Sequence, residues 1–238
     1  MESKIVFTSL HNFDYEVLAE LTLHKNKKIY CEKHGYPLVF KNDNWHNICI
    51  GFEKAYVIKD AFEKHPLCEW VFMAECDTLI TNMNIKLEDI LKDEKKHVVV
   101  TSDCNGINAG NFFVRNTIEG KEFIQSMIDS ISAYPHEQAF IIDSYFGSKK
   151  YTDIMSMYPQ KIFNSYDYYI YGNAYPHGLD MFGNNGRWED GDFIIHWPGT
   201  SLQHRLNLAN EYLLKVKCTG ETCSTIEQIA SVDPAAPV

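Results

Sequence analysis

The chain has 238 residues, 45% of them hydrophobic and 13% aromatic, and its 22 Lys and Arg against 32 Asp and Glu leave a net charge of −10. That length supports one large domain or two small ones around a sizeable core, and such ordinary apolar and charged fractions exclude collagen-like, disulfide-scaffold and wholly disordered classes. An acidic chain whose basic clusters, Lys25 to Lys28 and Lys95 with Lys96, read as solvated helix faces or loop rims is not a non-specific nucleic-acid binder.

From the N-terminus, Ile5 to Ser9 reads as a short buried strand, and Asn12 and Asp14 as helix-start residues before a periodic run from Tyr15 through Tyr30. Gly35 and Pro37 punctuate, and Leu38 to Phe40 is a second strand. Phe52, Ala55, Tyr56, Lys59 and Phe62 recur at helical spacing up to Pro66, and Trp70 to Ala74 is a continuous apolar run of the kind a central parallel strand requires. This βαβαβ opening predicts a doubly wound sheet with ligands beyond the carboxyl ends of its strands. Further along, His97 to Thr101, Ala109 to Val114 and Asp192 to His196 are predicted strands; Ile118 to Ile131, Glu137 to Phe146 and Ser201 to Lys217 are predicted helices. Residues 158–188 read as loop, crowded with Tyr, Asn and Gly. From Cys218 the composition shifts to Thr, Ser, Ala and Pro, so residues 1–217 are expected to form one catalytic domain, with 218–238 a tail or a linker to further domains.

No stretch approaches the roughly 18 consecutive apolar residues of a membrane span. The seven cysteines (Cys31, Cys49, Cys68, Cys76, Cys104, Cys218, Cys223) follow no zinc-ligand spacing and read as buried thiols, and no Asn-x-Ser/Thr sequon occurs. Both observations lean toward a reducing, cytoplasmic location.

The segment richest in chemistry is Trp70 to Asp77, an apolar strand ending in Glu75 and Asp77. Carboxylates two residues apart on an extended chain point the same way and repel unless a cation joins them. Mg²⁺ or Mn²⁺ is the natural partner, because either accepts oxygen ligands and leaves positions for phosphate oxygens. Alone, an acid-x-acid pair is more often a solvated turn.

Three further segments change that reading. Glu69 through Ile80 resembles the D-x-D strand end of GT-A glycosyltransferases, nearest the galactosyl- and xylosyltransferase family of fungal galactomannan and plant xyloglucan synthesis. Asn108-Ala109-Gly110-Asn111-Phe112-Phe113-Val114-Arg115-Asn116 resembles that family's N-x-G-x-F-x-x-R-N strand, Glu137-Gln138 its E/D-Q pair, and Gly191 to Gly199 its G-D-x-x-x-H-x-x-G segment. One departure stands out: Glu75 replaces the usual first Asp, and the longer side chain can reach the ribose or a metal-bound water instead of the ion.

The resemblance implies a GT-A fold, a Rossmann-like doubly wound mixed sheet with helices on both faces. It also implies a nucleotide-sugar donor, UDP-linked, and a glycan or glycoprotein acceptor. Asp77, His196 and Glu75 are the expected metal ligands, and the imidazole favours Mn²⁺ over Mg²⁺. Gly110 and Asn108 are expected against the donor sugar, with Asp103 accepting from it and Gln138 where donor and acceptor meet. Lys54 and Arg205 are expected on the diphosphate, and Thr8 and Ser9 beside base and ribose. Tyr158, Tyr166, Tyr168, Tyr169, Tyr171, Tyr175 and Trp188 divide between core and an acceptor groove, to which Asn173 and Asn184 add hydrogen bonds.

The family retains anomeric configuration, so the leaving phosphate oxygen is the expected base; an inverting enzyme would need Asp103 or Glu137 in that role. A rival reading, suggested by Glu75, is a catalytically defunct nucleotide-sugar or glycan-binding protein. Glycoside hydrolysis fits poorly, because its carboxylates stand about 5–9.5 Å apart across the bond. No G-x-G-x-x-G or G-x-x-x-x-G-K follows the first strand, which disfavours dinucleotide and P-loop chemistry.

Overall fold

The computed structural model describes residues 3–219 except 44, 175 and 176. Tyr175, Cys223, the side chain of Asn173 and the segment 220–238 lie outside the described residues.

Strand β1 (Ile5–Leu10) leads into α1 (Glu16–Ala19), a π-helical stretch (Glu20–Lys27) and α2 (Lys28–His34). There follow β2 (Leu38–Lys41), α3 (Ile50–Lys64), β3 (Trp70–Ala74), β4 (Thr78–Ile80), α4 (Leu87–Ile90), β5 (Val98–Asp103) and β6 (Gly106–Arg115). The chain continues through α5 (Ile118–Asp129), α6 (Glu137–Ile142), β7 (Met155–Tyr158), β8 (Ser165–Tyr166), β9 (Ile194–His196) and α7 (Leu202–Leu213). The main sheet has six strands in the order β2-β1-β3-β6-β5-β7. Strand β1 pairs in parallel with β2 and β3, while β6 runs antiparallel to β3 and β5, so the sheet is doubly wound and mixed as expected.

Alternation along the strands sends side chains to two cores. Val6, Val71, Met73, Val98, Val100 and Phe112 meet α3 and α5 through Phe52, Ile58, Phe62, Phe123 and Met127. On the opposite face Ile5, Phe7, Trp70, Phe72, Val99 and Phe113 pack on Tyr30, Phe163 and Phe193. A third cluster around Trp197 joins α1, α7 and the π-helical stretch. At α5 the reason for the helix start is visible: the Thr117 hydroxyl accepts from the Gly120 amide.

A second, three-stranded sheet in the order β4-β9-β8 lies within the chain's latter half and the turn after β3. It is this small sheet that positions the site. Antiparallel pairing sets Thr78 opposite His196 and Ile80 opposite Ile194. The free side of β4 is covered by a side chain: the fully buried Asn26 donates to the Ile80 carbonyl at 2.9 Å and accepts from its amide at 2.8 Å, as a neighbouring strand would.

None of the described helices is long and apolar enough to cross a membrane. Cys31, Cys68 and Cys76 are buried thiols as expected, but Cys49 is exposed and Cys104 half-exposed. Cys218 is disulfide-bonded, which corrects the expectation of a thiol there and removes one of the two arguments for a reducing location.

Replacing Asn26 by Ala leaves the buried Ile80 N–H and C=O without partners, and each unsatisfied group costs about 1–3 kcal/mol. Urea unfolding of Asn26→Ala is expected to show a lower midpoint with unchanged slope; a midpoint equal to that of wild type would mean that Asn26 does not act as a strand surrogate.

Candidate functional site

Strand β3 ends at Ala74, and a tight turn follows. The Glu75 amide donates to Gly110 O at 3.0 Å, the Thr78 hydroxyl donates to Glu75 O at 2.7 Å, and the Trp197 amide to Asp77 O at 3.1 Å. These bonds orient Glu75 and Asp77 toward β9. His196 Nε2 lies 3.5 Å from Glu75 Oε2 and 3.4 Å from Asp77 Oδ1, and one ligand atom from each of the three residues falls within 4.8 Å of the others. The grouping expected of Glu75, Asp77 and His196 is therefore formed by the turn between β3 and β4 and by the last residue of β9, far apart in sequence.

Two features show that a cation fits there. Buried Nε2 makes no hydrogen bond among the described residues, and it faces two carboxylate oxygens. Gly110 allows the ligand-type side chains to gather: a Cβ on it would lie 2.4 Å from His196 Cε1 and 2.9 Å from both Asn108 Oδ1 and Glu75 Oε2. The two carboxylates and one imidazole form a donor set suited to Mn²⁺.

Cations of the chain itself surround the acidic pair. Arg205, on α7, places NH2 2.9 Å from Asp77 Oδ2, while Nε donates to Trp197 O and NH1 to the Tyr15 hydroxyl. Burial alone would raise the Asp77 carboxyl, but His196 and Arg205 overcome it and hold the group at about 2. For Glu75 the balance reverses: burial raises its pKa, with Asp77 and Glu137 adding to the rise against the pull of Lys54 and His196. Lys27 supports the turn from below, its Nζ donating to Thr78 O at 2.5 Å and to Thr22 O at 3.1 Å. Burial depresses it to about 8. The π-helical stretch around it is a form often found at functional sites.

Lys54 is only 1% exposed. Its ammonium lies 2.5 Å from Glu75 Oε1, 2.6 Å from Glu137 Oε1 and 2.8 Å from Ala109 O. Those three acceptors match its three N–H donors. The two carboxylates raise its pKa in spite of burial. Glu137 reaches Lys54 because residue 51 is glycine, where a Cβ would lie 1.6 Å from Glu137 Oε2.

The other expected residues divide into two groups. Asn108, Asp103 and Gly110 form one buried network: Asn108 Nδ2 donates to Asp103 Oδ2 at 3.1 Å and to the Tyr166 hydroxyl at 2.8 Å, and its Oδ1 accepts from Gly110 N at 2.8 Å. Tyr166 donates to Asp103 Oδ2, and its ring packs edge-on against His196. Gln138 Oε1 accepts from Ala109 N at 3.1 Å, behind the same strand. Thr8 and Ser9, by contrast, are fully buried, their hydroxyls donating to Phe72 O and Ala74 O across the β1–β3 pair.

A cleft of about 290 Å³ opens beside the acidic pair, and at the end of β1 it is lined by Leu10, His11, Asn12 and Tyr15 instead, with Lys54, Asp77, Gly199 and Arg205 elsewhere on its wall. Of the aromatic cluster, Tyr166 and Tyr168 are buried, and Tyr169 is 79% exposed. Asn184 serves its own loop, donating to Asp180.

The model of the galactosyl transferase GMA12/MNN10 family matches residues 2–96 and 90–206 of the chain. Among relatives, an alpha-1,2-galactosyltransferase of Schizosaccharomyces pombe (strain 972 / ATCC 24843) is 25% identical over 245 residues, covering 83% of this chain and 62% of the relative. Galactomannan galactosyltransferase 1 of Cyamopsis tetragonoloba is 33% identical over 115 residues, 44% of this chain and 26% of that one. The chain thus spans less than two thirds of the length of either relative. Among solved structures, a glycosyltransferase involved in the glycosylation of the major capsid of PBCV-1 superimposes with a TM-score of 0.68 at 20% identity, covering 87% of this chain and 98% of that one. GlyE of Streptococcus pneumoniae TIGR4 does so at 0.58 and 16%, covering 94% and 63%. The fold is therefore the GT-A fold of these glycosyltransferases.

Stripping the buried ammonium from between the buried Glu137 and the partly exposed Glu75 leaves both carboxylates uncompensated, so Lys54→Met is expected to lower unfolding stability by about 3–5 kcal/mol. Adding Glu137→Gln to that variant should restore part of the loss, although Glu137→Gln alone is destabilising. Additive losses in a double-mutant cycle by urea denaturation would contradict the pairing.

Proposed function

Because the chain belongs to the galactosyl transferase GMA12/MNN10 family, we propose that it transfers a hexosyl group from a UDP-linked sugar to a hydroxyl of a glycan or glycoprotein, with a divalent cation as cofactor. The observation that carries this reading is the meeting of Glu75, Asp77 and His196, the two carboxylates lining a cleft at the carboxyl ends of β1 and β3 and the imidazole buried behind them. Galactose is the first donor sugar to test, from the names of the relatives. Residues 1–217 form the proposed catalytic unit.

Asp77 and His196, with Glu75, would hold Mn²⁺, which when bound would supply positive charge to offset the negative charge developing on a departing diphosphate. The chain's own residues prepare the site for it. Arg205, fixed by Tyr15 and Trp197, joins His196 in holding the Asp77 carboxyl low and presents a guanidinium to the same cleft, where it adds to leaving-group stabilisation. Gly110 is proposed to lie beneath the donor sugar, where its missing side chain lets His196 and Glu75 pack close to the strand. Asn108 and Asp103 define the strand end beneath it through their mutual hydrogen bond, and Gln138 steadies Ala109. Transfer is proposed to proceed with retention, the leaving phosphate oxygen taking the acceptor proton and no protein nucleophile intervening. The burial of Asp103 among its donors and of Glu137 against Lys54 supports that choice over a carboxylate base, since neither is offered to an incoming hydroxyl.

Purified protein incubated with Mn²⁺, a UDP-sugar panel and glycan acceptors is expected to release UDP, to stop on chelation and to recover on Mn²⁺ addition. Asp77→Asn, nearly isosteric, should lower kcat about a hundredfold or more with the fold retained. Full activity in that variant would remove Asp77 from the reaction. Tight donor binding without release on any pair would favour the defunct binding protein, the reading suggested by Glu75.

A further inference from the structure

His196 Nδ1 lies 2.8 Å from Asn164 Oδ1. An amide group can face a ring nitrogen with either its oxygen or its nitrogen, and the two choices give opposite tautomers. Here the choice is fixed two steps away. Asn111, on β6, directs its Nδ2 at the carbonyl oxygen of Phe163 at 3.0 Å, and a carbonyl can only accept. The same Nδ2 lies 3.2 Å from the Asn164 atom that faces His196, so that atom must be the oxygen. An oxygen facing Nδ1 requires the hydrogen on Nδ1, and a neutral ring then carries its lone pair on Nε2, the nitrogen facing Glu75 and Asp77.

The relay is well anchored. Asn111 and Asn164 are both 0% exposed and His196 1%. The Phe163 ring, which holds the first carbonyl in place, packs edge-on against Phe113 at 5.2 Å and Phe72 at 6.2 Å in the core beneath the sheet. Reversing both amides would set Asn111 Oδ1 against Phe163 O, acceptor against acceptor. The unused atoms, Asn111 Oδ1 and Asn164 Nδ2, make no hydrogen bond among the described residues, so two buried amides are held in an arrangement whose gain is the orientation of one imidazole.

We infer that Asn111 and Asn164 are positioning residues that lock His196 as its Nδ1–H tautomer and so present Nε2 as a ligand atom. This rests on the cation reading of the site and adds to it the support on which the histidine depends; such partners of metal-bound histidines typically govern affinity by about 10- to 100-fold.

Mn²⁺ binding without donor, followed by calorimetry, is expected to weaken by about 10- to 100-fold in Asn164→Leu and to stay close to wild type in Asn164→Asp, whose carboxylate also accepts from Nδ1–H. Asn111→Leu should behave as Asn164→Leu does. On the wild-type protein without metal, a long-range ¹H–¹⁵N spectrum at a pH where the His196 ring is neutral should show the hydrogen on Nδ1, a measurement independent of whether any variant folds. Undiminished affinity in Asn164→Leu, or a hydrogen on Nε2, would overturn the inference. A wild-type protein that takes up no Mn²⁺ overturns the cation reading instead, and the spectrum tells the two failures apart.

Discussion

The pairing of β4 with β9 is the constraint on which the site depends. With Thr78 opposite His196, the residue before Thr78 and the residue across from it are brought together, and the turn bonds of Glu75 carry the second carboxylate to the same place. A shift of one residue in that register would turn the imidazole to the other face of the small sheet. Several buried groups are arranged to prevent it. Asn26 closes the free side of β4, Lys27 holds the Thr78 carbonyl, and Trp197, next to His196, is buried in the third core.

Concentrating carboxylates in a protein interior is unfavourable unless each meets a cation or several donors. Here the compensation is divided. Arg205 serves Asp77, and Lys54 is shared by Glu75 and Glu137. The division leaves one oxygen of Glu75 and one of Asp77 facing His196, which is the side on which a divalent ion would sit. Two glycines make the arrangement sterically possible, Gly51 under Glu137 and Gly110 under His196, Glu75 and Asn108. The longer side chain of Glu75 is accommodated in the same way: Lys54 draws Oε1 aside, so the extra methylene does not carry the carboxylate past the site.

Much of this was legible in the sequence, and what escaped did so for definite reasons. The apolar run Trp70 to Ala74 gave its strand with the observed ends because it is buried on both faces, and the strand at Ala109 to Val114 differs only by added residues at its ends. Strands β4, β7 and β8 were not legible. They span two to four residues, too short for a periodic pattern, and are held by partners remote in sequence. In the site, ligand-type residues could be named from spacing and resemblance, but the partners of a side chain could not. Lys54 is expected on the diphosphate, and only the structure reveals its ammonium held between two carboxylates. Thr8 and Ser9 sit at a strand end yet spend their hydroxyls on the neighbouring strand, leaving the cleft wall to His11 and Asn12 two or three residues on. Asn164 carried no signal, since a lone Asn in a Tyr-rich loop has no pattern to mark it.

The most direct test of the central claim is a crystal of the protein grown with Mn²⁺ and UDP, measured for manganese anomalous scattering. A single peak bounded by Asp77 Oδ1, His196 Nε2 and the Glu75 carboxylate, with the diphosphate on its open side, is the predicted result. A diphosphate bound with no anomalous density among those three side chains, or a manganese ion held elsewhere, would contradict it.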